Sequence, residues 1–311
     1  MKKILHVILI SIFSLTVISC AKKSDDSSSS TTSSGLFVAV GAAGTLLTSS
    51  DGTTWNAQTS GTSNNLRAVA YGNSILVVVG YSGTVLRSTD GTTWNDATAL
   101  STTTNNLTNV TYGNNTFMAV GGSGTIITSS DGIQWTSKTS GTSENLWGIA
   151  YGNSTWVANG DNGTIISSSD GTSWDNRTSA SGTTEEFNEV IYENSTFVAF
   201  GNSGTIRTSS DGTTWDNRTS GTSNNLPGGT YGNSIFVTVG NSGTILTSSY
   251  ATTWTSKTSG TSNKLRGGTY GNGTFVAVGN SGTILTSSDA TTWTSRTSGT
   301  SLNFRRVFYK Q

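Results

Sequence analysis

The 311-residue chain has one cysteine, one histidine, one proline and two methionines, and only 11% of its residues are charged. A single cysteine, Cys20, rules out an internal disulfide framework. The lone histidine, His6, lies in the N-terminal apolar run, so no Ser–His–Asp triad can form downstream of it. The same scarcity removes the usual zinc, copper and haem ligand sets, and no metal or cofactor is expected. Lys and Arg balance Asp and Glu at 17 each, so net charge supplies no footprint for nucleic acid. Low charge with 9% aromatic residues, nine of them Trp, also sets the chain apart from disordered sequences.

Gly, Ser, Thr and Asn are abundant, and they recur in register. The Trp residues at 55, 94, 135, 174, 215, 254 and 293 are spaced by 39, 41, 39, 41, 39 and 39 residues. The first glycine of G-x-x-G-T repeats with the same steps at Gly41, Gly80, Gly121, Gly160, Gly201, Gly240 and Gly279. These are seven copies of one unit. In the copy from Asn263, "KLRGGTYG", "TFVAVG", "GTILTSS" and a segment around the Trp read as four strands, A to D. Gly-Asn, Asn-Ser-Gly and Ser-Asp-Gly turns separate them. Strand B is apolar nearly throughout, which implies burial on both faces. No copy shows a 3.6-residue period, which excludes a helical array.

The pattern predicts an all-β fold: a seven-bladed β-propeller of four-stranded antiparallel blades over residues 35–311. The repeat region begins inside a unit, with "GLFVAVG", and ends inside one, with "LNFRRVFYKQ". The C-terminal strand A is therefore expected to complete the N-terminal blade and leave no open edge.

Ahead of the propeller, Lys2 and Lys3 precede an apolar run that ends in "VISC", Val17–Cys20. This resembles the lipobox of bacterial lipoproteins, in which the signal is removed before a cysteine that is then acylated. The resemblance implies a signal peptide over residues 1–19 and an acylated Cys20 at the head of a Ser-rich tether, residues 20–34. It places the chain in a bacterial cell envelope, outside the cytoplasm, at the outer membrane or cell surface. "KKSDD" after Cys20 loosely resembles a surface-export signal of such proteins.

Within the repeat, "S-x-D-G-x-x-W" occurs at Ser49–Trp55, Ser88–Trp94, Ser129–Trp135, Ser168–Trp174 and Ser209–Trp215. Two further copies are degraded, at Tyr250-Ala251 and Asp289-Ala290. The motif resembles the Asp-box, or BNR, repeat of sialidases. With an Asp-to-Trp spacing one residue short, it is more similar to BNR-like propellers related to the photosystem II assembly factor. Asp51, Asp90, Asp131, Asp170, Asp211 and Asp289 are read as structural turn residues. They fall one per turn, whereas glycoside hydrolysis needs a carboxylate pair about 5–10 Å apart. The Arg-Ile-Pro signature common among sialidases is missing, because the one proline is Pro227 in "NLPGG".

Two features point to one face. The two longer repeats carry their extra residues between Trp94 and Leu107 and between Trp174 and Phe187, both in D–A loops. The least uniform positions open strand A: Arg67, Thr108, Trp147, Asn188, Pro227, Arg266 and Arg305, then Ala68, Asn109, Gly148, Glu189, Gly228, Gly267 and Arg306. Strand A is innermost in such propellers, so these side chains should gather at the channel mouth. Arg67, Arg266, Arg305 and Arg306 are expected to form a basic arc, with Glu185, Glu186, Glu189 and Glu193 as an acidic sector across the ring. With Trp147, the arc would suit a peptide carboxylate or an anionic sugar. The leading function is a monomeric, non-enzymatic binding or assembly scaffold for an envelope protein, peptide or glycan. A glycan-active hydrolase and a bulk surface-display protein are the alternatives.

Overall fold

The computed structural model describes residues 35–311. The expectations for residues 1–19, Cys20 and the tether lie outside the described residues. Seven four-stranded antiparallel sheets make up the fold. Strand A of each lies beside strand A of the sheets before and after it, closing a ring. The chain is an all-β, seven-bladed β-propeller.

Blade 1 is closed as the sequence requires. Its strand A is Phe304–Lys310, at the C-terminus, and its strand B is Leu36–Gly41. Leu36 pairs with Lys310 and Val38 with Phe308 in antiparallel register. Blade 2 is representative of the others: strand A Leu66–Gly72, B Ile75–Gly80, C Val85–Ser88 and D Asn95–Asp96. Strand D is shorter than expected, two or three residues beginning after the Trp. The Trp is held back in the preceding turn, where the Trp55 indole N–H donates to the Gly52 carbonyl at 3.0 Å. Its ring packs on the apolar cluster between blades 7 and 1. Brief outer strands also leave little exposed edge for pairing with other chains.

The core is divided among the interblade gaps. Among the described residues seven apolar clusters occur, one in each gap, built from strand B and C residues of one blade and their counterparts in the next. Strand B is sandwiched on both sides, so it shows no alternation of buried and exposed positions: Leu76, Val77, Val78 and Val79 are all fully buried.

D–A loops and B–C turns share one face. The link is direct: the residue before strand A accepts from the B–C turn of its own blade, as in Tyr81 N–H to Asn65 O at 2.9 Å. That turn uses two consecutive left-handed residues, Ser82 (φ 56°) and Gly83 (φ 67°). Gly83 is required as well by space, since a Cβ there would sit 2.0 Å from the Thr103 carbonyl oxygen. The extra residues of the two long D–A loops are wound into short helical turns, Thr98–Leu100 and Thr178–Ser181. A–B hairpins and the Asp-box turns occupy the opposite face.

Candidate functional site: a basic channel mouth

A β-bulge sets the site. Where strand A begins, the register with strand B slips between Leu66 and Ala68, Leu107 and Asn109, Leu146 and Gly148, Phe187 and Glu189, and Leu265 and Gly267. In blade 1 the slip falls opposite Arg305. The extra residue is unpaired and is turned to the channel mouth, and the next residue faces the axis. Two successive side chains thus serve the channel, where regular alternation would send one into the interblade core.

The mouth encloses about 210 Å³ and is lined by Arg67, Trp147, Glu186, Lys264, Arg266 and Arg305, with Arg306 below them. Of the predicted arc, Arg67, Arg266 and Arg305 come together here with Trp147. Arg67 is stacked between two rings, 5.4 Å from the Tyr81 centroid and 5.7 Å from that of Trp147. Trp147 is fixed by its indole N–H, which donates to Asp161 Oδ1 at 2.5 Å. Arg266 Nε donates to Asn280 Oδ1 at 2.6 Å. The Nε groups of Arg67 and Arg305 are buried without an acceptor among the described residues. Burial lowers the pKa of Arg67, and burial with the nearby Arg305 and Arg67 lowers that of Arg266 to about 10. The three arginines are crowded and, among the described residues, without a carboxylate partner.

Arg306 also lines the mouth, whereas Glu189 lies in the channel beneath it. Both face the axis one residue deeper, and they form an ion pair with each other across the ring. Asn109 Nδ2 adds a hydrogen bond to Glu189 Oε1 at 3.3 Å. The pair is 14% and 6% exposed and forms the floor of the mouth. Burial pulls Arg306 down to about 10, still protonated at neutral pH. The expected acidic sector is also divided. Glu186 lines the mouth, Glu185 lies on the loop before it, and Glu193 stands at the other end of strand A on the opposite face. Strand A crosses the disc, so residues four apart cannot share a mouth.

Sequence reasoning missed Tyr81, Asp161 and Lys264, and did not foresee that Glu186 would sit among the arginines. Tyr81 and Asp161 open the B–C turns "YSG" and "DNG", a second variable position whose side chain meets that of the strand A bulge. Lys264 and Glu186 replace an asparagine that has a structural task elsewhere. Asn65, Asn106, Asn145, Asn225 and Asn303 each accept the N–H of the preceding blade's B–C turn through Oδ1, at 2.9–3.1 Å. The two blades that give up this latch place a charge at the mouth instead. Burial raises the Glu186 pKa, as does the neighbouring Asp161, while burial lowers that of Lys264.

The Asp-box aspartates lie on the other face, one per C–D turn. Asp51 Oδ1 accepts the N–H groups of Thr53 and Thr54 at 2.8 and 2.9 Å and the Ser49 hydroxyl at 2.9 Å. Asp90, Asp131, Asp170, Asp211 and Asp289 repeat the arrangement. These donors hold the carboxylates below their usual pKa range, led by the Thr53 hydroxyl for Asp51 and the Thr93 N–H for Asp90.

The scaffold is shared with known proteins. A family model described as the DUF6242 beta propeller domain matches residues 59–178, a span that holds blades 2 to 4. No curated protein matches the sequence. Among solved structures, the chain is similar to YCF48 bound to D1 peptide, with 17% identity, a TM-score of 0.64, and coverage of 80% of this chain and 88% of that one. It is also similar to YCF48 from Cyanidioschyzon merolae, with 14% identity, a TM-score of 0.58 and coverage of 74% and 84%. The computationally designed Ika8 protein follows, with 14% identity, a TM-score of 0.56 and coverage of 84% and 80%. What is shared is the fold.

Proposed function

We propose that the chain is a non-enzymatic scaffold that captures a carboxylate-bearing peptide in its basic mouth. The observation that carries this reading is the meeting of Arg67, Arg266, Arg305 and Lys264 with no ion-pair partner among the described residues, two of the arginine Nε groups lacking any acceptor. Four cations crowded into a half-buried recess repel one another, and an incoming carboxylate would relieve that repulsion while accepting charge-assisted hydrogen bonds. That a propeller of similar fold has been solved as YCF48 bound to D1 peptide supports a peptide as the ligand.

The geometry gives less support to hydrolysis. Asp161 is the acid whose charge bears on Glu186, and both of its carboxylate oxygens are engaged, one by Trp147 and the other by Asn145 Nδ2 at 2.8 Å. A carboxylate so occupied is not free to act as base or nucleophile.

Binding of fluorescent acidic peptides with free C-termini tests the reading, with amidated neutral peptides and uronate-bearing glycans as comparisons. Replacing both Arg266 and Arg305 by Ala is expected to weaken acidic-peptide binding by about 100-fold or more. The melting temperature should be unchanged or slightly higher, because like-charge crowding is removed. Undiminished binding by the double variant, or preference for the neutral peptides, refutes the proposal. A preference for uronates would redirect it to an anionic sugar.

Lipid anchoring through Cys20 is part of the proposal. It is compatible with an accessible mouth, because strand B of blade 1 begins on the Asp-box face, opposite the arginines. Cys20→Ala is expected to move the protein from the membrane fraction to the soluble fraction. Retention of that variant in membranes would show that the cysteine is not the anchor.

A further inference from the structure

The far end of the channel is a different kind of site. Strand A ends on the Asp-box face in Tyr-Gly in five blades, at Gly72, Gly113, Gly152, Gly232 and Gly271. The next blade's tyrosine lies flat on several of these glycines: a Cβ at Gly72 would be 2.0 Å from the Tyr112 ring, and one at Gly152 would be 2.0 Å from Tyr192. Two blades break the Tyr-Gly rule, and both put a charge there, Glu193 and Lys310. Lys310 shows what the tyrosine girdle accommodates, with its Nζ 5.1 Å from the centre of the Tyr71 ring. Glu193 has no such use. Among the described residues it makes no ion pair, and no hydrogen bond to its carboxylate occurs.

Glu193 lines a chamber of about 270 Å³ that reaches from this face down to Glu189 and Arg306. The lining combines Val69, Val110 and Ile149, whose side chains lie in the interblade cores, with Tyr112, Tyr151 and Tyr192 and the polar residues Thr111, Thr230 and Thr269. At the floor, Glu189 and Arg306 neutralise each other, so Glu193 is the chamber's uncompensated charge. Glu193 itself is exposed at the rim of the chamber, where partial burial raises its pKa. A channel end with aromatic rings and one unpaired carboxylate is complementary to an organic cation.

We propose that this chamber binds a primary alkylammonium group, its stem in the channel and its ammonium on Glu193 within the tyrosine girdle. A lysine side chain of a partner and a free alkyl amine share this chemistry. The disc would then carry two independent poles, an anion-binding mouth and a cation-binding chamber, separated by the Glu189–Arg306 pair.

Calorimetric titration of the full chain with cadaverine and with Nα-acetyl-lysine N-methylamide tests the proposal, with the Nε-acetylated lysine derivative as the neutral control. At least one of the two amines is expected to bind saturably below about 10 mM, the control not at all. Stronger binding of cadaverine identifies a free amine as the ligand, and equal or stronger binding of the lysine derivative identifies a protein side chain. Glu193→Gln should weaken binding about tenfold or more with the melting temperature retained, whereas Arg266→Ala with Arg305→Ala should leave it intact. Binding of the acetylated control, an unaffected Glu193→Gln variant, or no saturable binding of either amine overturns the chamber assignment. None of these results bears on the basic mouth, which is read out by acidic peptides.

Discussion

Deleting residues 303–311 is expected to abolish cooperative folding of the whole disc. The segment supplies strand A of blade 1, with Phe304 fully buried, Val307 2% exposed, and Tyr309 packed at a tilt against Phe37, 4.6 Å between ring centres. Each large apolar side chain lost is worth about 1.5–3 kcal/mol of burial. The deletion also strips the innermost neighbour from Leu36–Gly41 and leaves its backbone groups unpaired beside the channel. Against a typical net stability of about 5–15 kcal/mol, that loss is decisive. Thermal unfolding followed by circular dichroism should show no sharp transition, and size-exclusion chromatography should show aggregates. A permutant supplies the control. Residues 302–311 joined through a short Gly-Ser linker ahead of Gly35 restore the same sheet as an A–B hairpin, because Lys310 is already the partner of Leu36. That permutant should melt within a few degrees of the parent. A truncated chain that melts as the parent does would mean that the ring does not depend on this closure.

Removing Glu189 should destabilise the protein by about 3–5 kcal/mol, the characteristic cost of leaving a buried charge without its partner. Arg306 would remain in a site where it is 14% exposed, with no second carboxylate among the described residues to accept it. Glu189→Ala is therefore expected to lower the melting temperature by roughly 10 °C. The double replacement Glu189→Leu with Arg306→Met makes the distinguishing case. Desolvating two charges costs nearly what their attraction returns, so an apolar pair of similar volume should recover most of the loss. If the single Ala variant melts unchanged, Arg306 is not confined as the geometry indicates. If the double variant is no better than the single one, the pair contributes net stability beyond mutual compensation.

The architecture was legible in the chain because every blade poses the same packing problem. A strand between two like neighbours must be apolar on both faces, and a B–C turn with two left-handed residues asks for Ser-Gly or Asn-Gly. The repeats at Gly80–Thr84 and Gly240–Thr244 answer in the same way. The partial units at the two ends already implied closure, and the pairing of Leu36 with Lys310 delivers it. The variable opening of strand A was legible as the place where the copies differ, and Arg67, Trp147, Arg266 and Arg305 do meet there. Lys264 was hidden because a single substitution in a run of Asn reads as drift until the Asn is seen holding the neighbouring turn.

Blade number, strand order within each blade and the face on which the copies diverge all follow from repeat spacing and local turn chemistry, and so were written in the chain. Which charges are free was not, and it emerges only in the folded ring. Arg305 and Arg306 are adjacent in the chain, yet one is left in the open mouth and the other is paired with Glu189, 117 residues away. The cause is the bulge, which turns two successive residues toward the axis at different depths, together with ring closure, which brings blade 5 opposite blade 1. Local pattern carries neither the depth nor the angle, and charge compensation depends on both.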